Sequence, residues 1–203
     1  MRPGADQGPG EDDRSRAERC LEPLVSQRAV PSLTYAVVRD GDATLGGFGG
    51  AGPRTIFEIG SLTKVFTALL LADMAERGQV RLSDAAARYL PGGAGSVTLA
   101  DLATLLRACL SASAGAASGG TPLDAALRVT MRPRSDIPSG QIGLAWHLTL
   151  RGDRELVWHN GMTGGYSAMI ALDPVRGLGV AALANAAGIQ PSPLDEAVFE
   201  TLG

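Results

Sequence analysis

Ser61 and Lys64 are the two residues of this chain whose types and spacing suit catalysis. They stand three apart in Phe57-Glu-Ile-Gly-Ser-Leu-Thr-Lys-Val-Phe66, at the head of an apolar run of helical character. That spacing places a hydroxyl and an amine on one helix face, a single turn apart. A serine becomes a strong nucleophile when a neighbour takes its proton; a desolvated lysine can do so, whereas an arginine keeps its charge. Lys64 is the only lysine in the chain, the other 17 of the 18 Lys and Arg residues being arginine. With 13 serines in 203 positions, a serine falls three residues before that lysine by chance about once in sixteen, so the four residues need support from the rest of the chain.

Acyl chemistry on a serine also needs donors aimed at the developing oxyanion. The backbone N–H of Ser61, at a helix start, is one such donor, and a strand passing alongside would supply another. Helix N-terminal polarity favours both the alkoxide and a neutral Lys64. The strand best suited to lie there is Trp158-His-Asn-Gly-Met-Thr-Gly-Gly-Tyr166, whose three glycines permit close backbone approach to a ligand. His159 gains a site context from these glycines. His147 lacks one and reads as an ordinary strand residue, and Trp158 reads as packing. Cys20 and Cys109 are isolated from each other and from histidine, which argues against a metal centre; they read as small helix residues.

The elements that must position these groups follow from periodicity. Residues 1–14 read as a disordered tail and 15–203 as one compact domain. Apolar positions recur at three- and four-residue steps from Ser15 to Gln27, predicting an amphipathic helix. Leu33–Val38 and Ala43–Phe48 flank an Asp-Gly pair and predict a hairpin. Thr55–Ile59 is a short strand leading to Ser61, and Lys64–Arg77 a helix stopped by Gly78. Further helices are expected at Leu82–Tyr89, Val97–Leu110 and Pro122–Val129, with a flexible loop over Ser111–Gly120. The last third changes character. Ile142–Leu150, Glu155–Trp158, Tyr166–Leu172 and Leu178–Leu183 read as strands of an antiparallel meander, closed by a helix over Leu194–Leu202. The fold class is α+β: one antiparallel sheet flanked by helices.

Composition limits the partners. At 45% hydrophobic and 19% charged residues, with a net charge of −3, the chain is globular and offers no electrostatic case for nucleic acid or an anionic membrane. No run approaches the length of a membrane span, and the Gly-, Pro- and Arg-rich N-terminus lacks the apolar core of a signal peptide. The expected location is cytoplasmic, where a disulfide is disfavoured.

The motifs, taken in order, resemble the serine hydrolases related to class C β-lactamases, D-alanyl-D-alanine carboxypeptidases and esterases, the penicillin-binding-protein-like family. Ser61-Leu-Thr-Lys64 with its preceding residues is similar to the family's Ser-x-x-Lys motif. Arg77-Gly-Gln-Val-Arg-Leu-Ser-Asp84 with Tyr89-Leu-Pro91 resembles the segment after the catalytic helix, and Ile142-Gly-Leu-Ala-Trp146 the strand before the last hairpin. His159-Asn-Gly161 followed by Met162-Thr-Gly-Gly-Tyr166 resembles the Lys/His-x-Gly motif, and Asp173-Pro174 with Gly179–Asn185 the closing strands. The resemblance implies Ser61 as the acylated nucleophile, Lys64 as its base or relay, and the N–H groups of Ser61 and Met162 as the oxyanion hole. His159, Asn160 and Gly161 would line the substrate site, with no metal and no cofactor.

The chain departs from the family in one respect: it has no Tyr-x-Asn element between the two motifs. Its tyrosines are Tyr35, Tyr89 and Tyr166, and Gly95–Cys109 is similar to a helix that in relatives comes just before the terminal strands. The helical half is therefore expected to be reduced. Three readings follow: a hydrolase of a small ester or amide, a catalytically impaired homologue or binding protein that keeps the pocket, and an acyltransferase. An open cleft with exposed apolar surface favours a homodimer.

Overall fold

The computed structural model describes residues 12–79, 96–115, 121–186 and 192–203. Chain order is α1 (Asp13–Ser26), β1 (Leu33–Arg39), β2 (Asp42–Phe48), β3 (Ile56–Glu58), a 3-10 turn (Gly60–Leu62), α2 (Thr63–Glu76), β4 (Ser96–Thr98) and α3 (Leu99–Ala114). There follow α4 (Pro122–Met131), β5 (Ser135–Ile137), β6 (Gly140–Ile142), β7 (His147–Arg151), β8 (Arg154–Met162), β9 (Ser167–Asp173), β10 (Leu178–Ala184) and α5 (Pro193–Leu202). This is the α+β arrangement expected, with an antiparallel sheet of eight strands in the order β2-β1-β10-β9-β8-β7-β6-β5. The N-terminal hairpin pairs with the last strand, Leu33 opposite Ala184 and Arg39 opposite Leu178, so early and late segments of the chain lie side by side in one sheet.

Local chemistry accounts for the element boundaries. Asp40 (φ 52°) and Gly41 (φ 86°) both adopt left-handed backbone in the two-residue β1–β2 turn, the geometry for which an Asp-Gly pair is suited. The Asp12 carboxylate accepts from the Ser15 N–H at 2.7 Å, so α1 begins at Asp13 rather than Ser15. Thr98 and Asp101 form a reciprocal capping box, which starts α3 at Leu99. Val97, expected in that helix, lies instead in β4, paired with Phe57 of β3 in a separate two-stranded sheet. At its other end α3 runs on through Ala114, so the first part of the expected loop over Ser111–Gly120 is helical. The Leu82–Tyr89 helix lies outside the described residues.

The meander departs from expectation in two places. Ile142–Leu150 is not one strand: Ala145 takes a left-handed φ of 68° and turns the fully buried Trp146 into the core, breaking the run into β6 and β7. β5, a three-residue edge strand too short to announce itself, was not foreseen. β8 is longer than its apolar core suggested and carries the whole His159–Met162 segment in regular strand.

The sheet separates two apolar layers. Ala36, Val38, Ile170, Leu172, Ala181 and Leu183 face α2, α3 and α4. The alternate residues Leu33, Tyr35, Val37, Met169, Ala171 and Val180 face α1 and α5. Every residue of β9 and β10 is buried, as expected of central strands covered on both faces. Burial of about a dozen large side chains on each face, at roughly 1.5–3 kcal/mol apiece before entropy, holds the layers together. No helix among the described residues is long and apolar enough to cross a membrane.

Candidate active site

Ser61 sits in the 3-10 turn that leads into α2, and Lys64 is one turn further along the same face. Leu62 and Val65, at 0% and 1% exposure, face the core and fix the rotation of the turn, so the Ser61 and Lys64 side chains stand clear of it. The Lys64 ammonium donates to Ser61 Oγ at 2.7 Å. Sequence spacing foresaw this contact. It did not foresee that Lys64 would be exposed to solvent: burial of the amine, assumed in reading it as a base, is not what the structure shows.

Backbone packing brings β8 to this pair. A Cβ on Gly161 would fall 1.9 Å from the carbonyl oxygen of Ile59 and 2.8 Å from the Leu62 nitrogen. From the other side, a Cβ on Gly60, whose φ is 50°, would fall 2.5 Å from the Met162 oxygen and 2.7 Å from its nitrogen. Two glycines thus allow the strand and the serine turn to meet backbone against backbone. The peptide groups of Met162 and of the Ser61 turn therefore lie side by side, and the Met162 side chain is partly exposed at the edge of the site.

His159 is on the same face of β8 as Gly161, with only 6% of its surface exposed. Burial without a counter-charge pushes its pKa down to about 4; a hydrogen bond with the Asn160 carbonyl opposes this, and the charges of His147 and Lys64 add to the lowering. A carbonyl oxygen can only accept, so Nδ1 carries the proton and Nε2 keeps its lone pair. At neutral pH His159 is an uncharged imidazole with a basic nitrogen.

The sequence reading missed what surrounds that imidazole. His147 stacks on Trp158 at 4.5 Å between ring centroids and meets the His159 ring edge-on at 5.5 Å. Burial lowers the His147 pKa as well. Counting back from the Gly-Asp turn would have revealed the pair, since the β7–β8 register sets His147 opposite Trp158. Trp158 also donates from its indole nitrogen to Thr149 Oγ1 at 3.0 Å and packs on Phe199, in keeping with a packing role.

Asn160 corrects the expectation that all of His159-Asn160-Gly161 would line the site. Strand alternation turns its side chain through to the α5 face, where Nδ2 donates to Asp195 Oδ2 at 2.7 Å. No local pattern could have indicated that partner, 35 residues away. Burial raises the Asp195 carboxyl above its ordinary range. Cys109 is fully buried, its thiol pushed up to about 12, and takes no part in the site. Among the described residues no three His, Cys, Asp or Glu side chains gather as metal ligands.

Comparison with known proteins bears on the family and the fold. The chain is 36% identical over 88 residues to a β-lactamase of Pseudomonas fluorescens, a match covering 39% of this chain and 25% of that protein. A β-lactamase of Escherichia coli K12 is 33% identical over 81 residues, 36% of this chain and 22% of the relative, so the matches span about a quarter of the relatives' length. A solved class C β-lactamase from Rhodobacter sphaeroides superposes with a TM-score of 0.77 at 14% identity, covering 92% of this chain and 98% of the other, which shows a common fold. The Beta-lactamase family profile matches residues 17–105 and 98–201, nearly the whole domain. With Ser61 and Lys64 in contact beneath the His159–Met162 strand of that fold, the chain belongs to the β-lactamase family, among the serine hydrolases related to class C enzymes.

Proposed function

We propose that the protein hydrolyses a small ester or amide through an acyl-enzyme on Ser61. The observation that carries this reading is the 2.7 Å contact between Lys64 Nζ and Ser61 Oγ, beside a strand whose backbone is pressed against the serine turn. Lys64 Nζ takes the hydroxyl proton as Oγ attacks the substrate carbonyl. The N–H groups of Ser61 and Met162 receive the developing oxyanion, and the proton passes from Lys64 to the leaving group. Water then attacks the acyl carbon to release the acid and regenerate Ser61.

His159 bears on what is accepted. An uncharged imidazole gives no ionic attraction to a substrate carboxylate, so uncharged acyl groups suit the site better than carboxylate-bearing lactams. Slow deacylation is the second reading, favoured by the exposure of Lys64 and by the lack of a Tyr-x-Asn element to share proton transfer. A catalytically impaired homologue or binding protein is its limiting case. An acyltransferase would use the same acyl-serine with an alcohol or amine in place of water.

A fluorophosphonate separates these readings. Wild type is expected to be labelled and Ser61→Ala not at all, with Lys64→Ala slowed by about two to four orders of magnitude. An unlabelled wild type would overturn the acyl-serine reading. Turnover of p-nitrophenyl butyrate, with and without added alcohol, then distinguishes hydrolase from transferase, and an acyl burst followed by a slow steady state identifies slow deacylation.

A further inference from the structure

β8 changes its surroundings where it reaches the site. Up to Trp158 it is laddered on both sides, to β7 and to β9. From His159 to Met162 its pairing continues with β9 alone, Asn160 opposite Met169 and Met162 opposite Ser167. The edge released from β7 is the part of the strand that runs beside the serine turn. A segment with one ladder has more freedom than one with two, yet oxyanion donors must be held closely in place.

Asn160 is where that freedom is taken up. Its side-chain amide donates to Asp195 on the α5 face, and its carbonyl accepts from His159 Nδ1. Residue 160 is thus held through both its side chain and its backbone, immediately before Gly161 and Met162. Asp195 is a costly residue for this purpose alone. It is only 7% exposed, whereas the neighbouring inward positions of α5, Leu194, Ala197, Val198 and Leu202, are apolar. A buried carboxylate contributes less stability than an apolar residue of the same size unless its geometry serves something else. The carboxylate also meets the backbone N–H of Ser192, the N-cap of α5, so one side chain ties the start of that helix to Asn160.

We propose that Asp195, from behind the sheet, is a positioning residue for the oxyanion segment of β8, acting through Asn160. The inference rests on the acyl-serine reading and deepens it. Asp195 touches neither substrate nor nucleophile. Its carboxylate orients the Asn160 amide, which fixes the strand at the point where β7 has left it, and so sets the Met162 N–H relative to Ser61.

The test compares wild type with Asp195→Ala and Asp195→Asn, whose amide oxygen can still accept from Asn160. Asp195→Ala is expected to lower the fluorophosphonate labelling rate by about tenfold or more, measured well below its melting range. Asp195→Asn should recover most of that rate. Amide hydrogen exchange should quicken at His159–Met162 in Asp195→Ala without a matching change in β9 and β10. If Asp195→Ala does not fold, the double substitution Asn160→Leu with Asp195→Leu takes its place, and should be stable yet slow to label. Wild-type labelling rates and unchanged exchange in either variant would overturn the proposal. So would an Asp195→Asn variant as impaired as Asp195→Ala. Should wild type itself stay unlabelled, the acyl-serine reading falls, and exchange at His159–Met162 still decides whether Asp195 holds the strand.

Discussion

The two ends of the sheet use glycine in opposite ways. At the site, Gly161 faces the rigid backbone of the serine turn, with the Ile59 carbonyl 1.9 Å from where a Cβ would stand. Toward the β9–β10 turn, Gly179 faces the ends of two flexible side chains, Leu106 at 2.9 Å and Leu110 at 3.3 Å. The first contact cannot relax without moving the serine; the second can relax by a rotamer change. Tolerance to substitution should therefore differ sharply between regions that are both buried. The site is held by main-chain geometry, and the far end by interchangeable apolar volume.

Gly161→Ala should break the comparison most forcefully. Separating β8 from the Ile59–Leu62 backbone is expected to cost about 3–5 kcal/mol, seen in the urea midpoint, together with loss of fluorophosphonate labelling. A stable, labelled Gly161→Ala would mean that the strand and the turn can part without consequence.

The next effect comes from pH. In the folded chain His159 stays unprotonated down to about 4, whereas its ordinary value is 6.5. Between those values the unfolded chain binds the additional proton, so this contribution is fully present above about pH 6.5 and lost as pH falls towards 4. Its size is about 3 kcal/mol. Unfolding free energies measured across that window for wild type and His159→Gln should diverge as pH rises, the variant lacking the dependence. Parallel curves would show that His159 is not buried as described.

Gly179→Ala should have the smallest effect. Mild overpacking against Leu106 and Leu110, partly offset by the lower freedom of the unfolded chain, is expected to cost about 1 kcal/mol or less. Labelling should continue at the wild-type rate. If Gly179→Ala were as harmful as Gly161→Ala, the contrast between backbone-limited and side-chain-limited packing would not hold.

Where sequence reading went astray, long-range or capping chemistry had overridden local pattern. The apolar run Val97–Leu110 suggests one helix, but the Thr98–Asp101 capping box fixes its start and leaves Val97 to a strand. Ile142–Leu150 reads as continuous strand, but Trp146 gains more by entering the core than by extending the ladder. Asn160 lies in a site motif, yet strand alternation hands its side chain to Asp195.

By itself, the sequence determined the family motifs, the α+β class, the Asp-Gly hairpin and the Ser61–Lys64 contact. These rest on interactions within a few residues, where helical or turn geometry leaves little choice. Only the tertiary structure decided that Lys64 is exposed, that His159 is buried and uncharged beside His147, and that Asp195 holds Asn160 from behind β8. Exposure, charge state and partnership across the sheet depend on which distant elements pack together, and the spacing of residues along the chain carries no record of that.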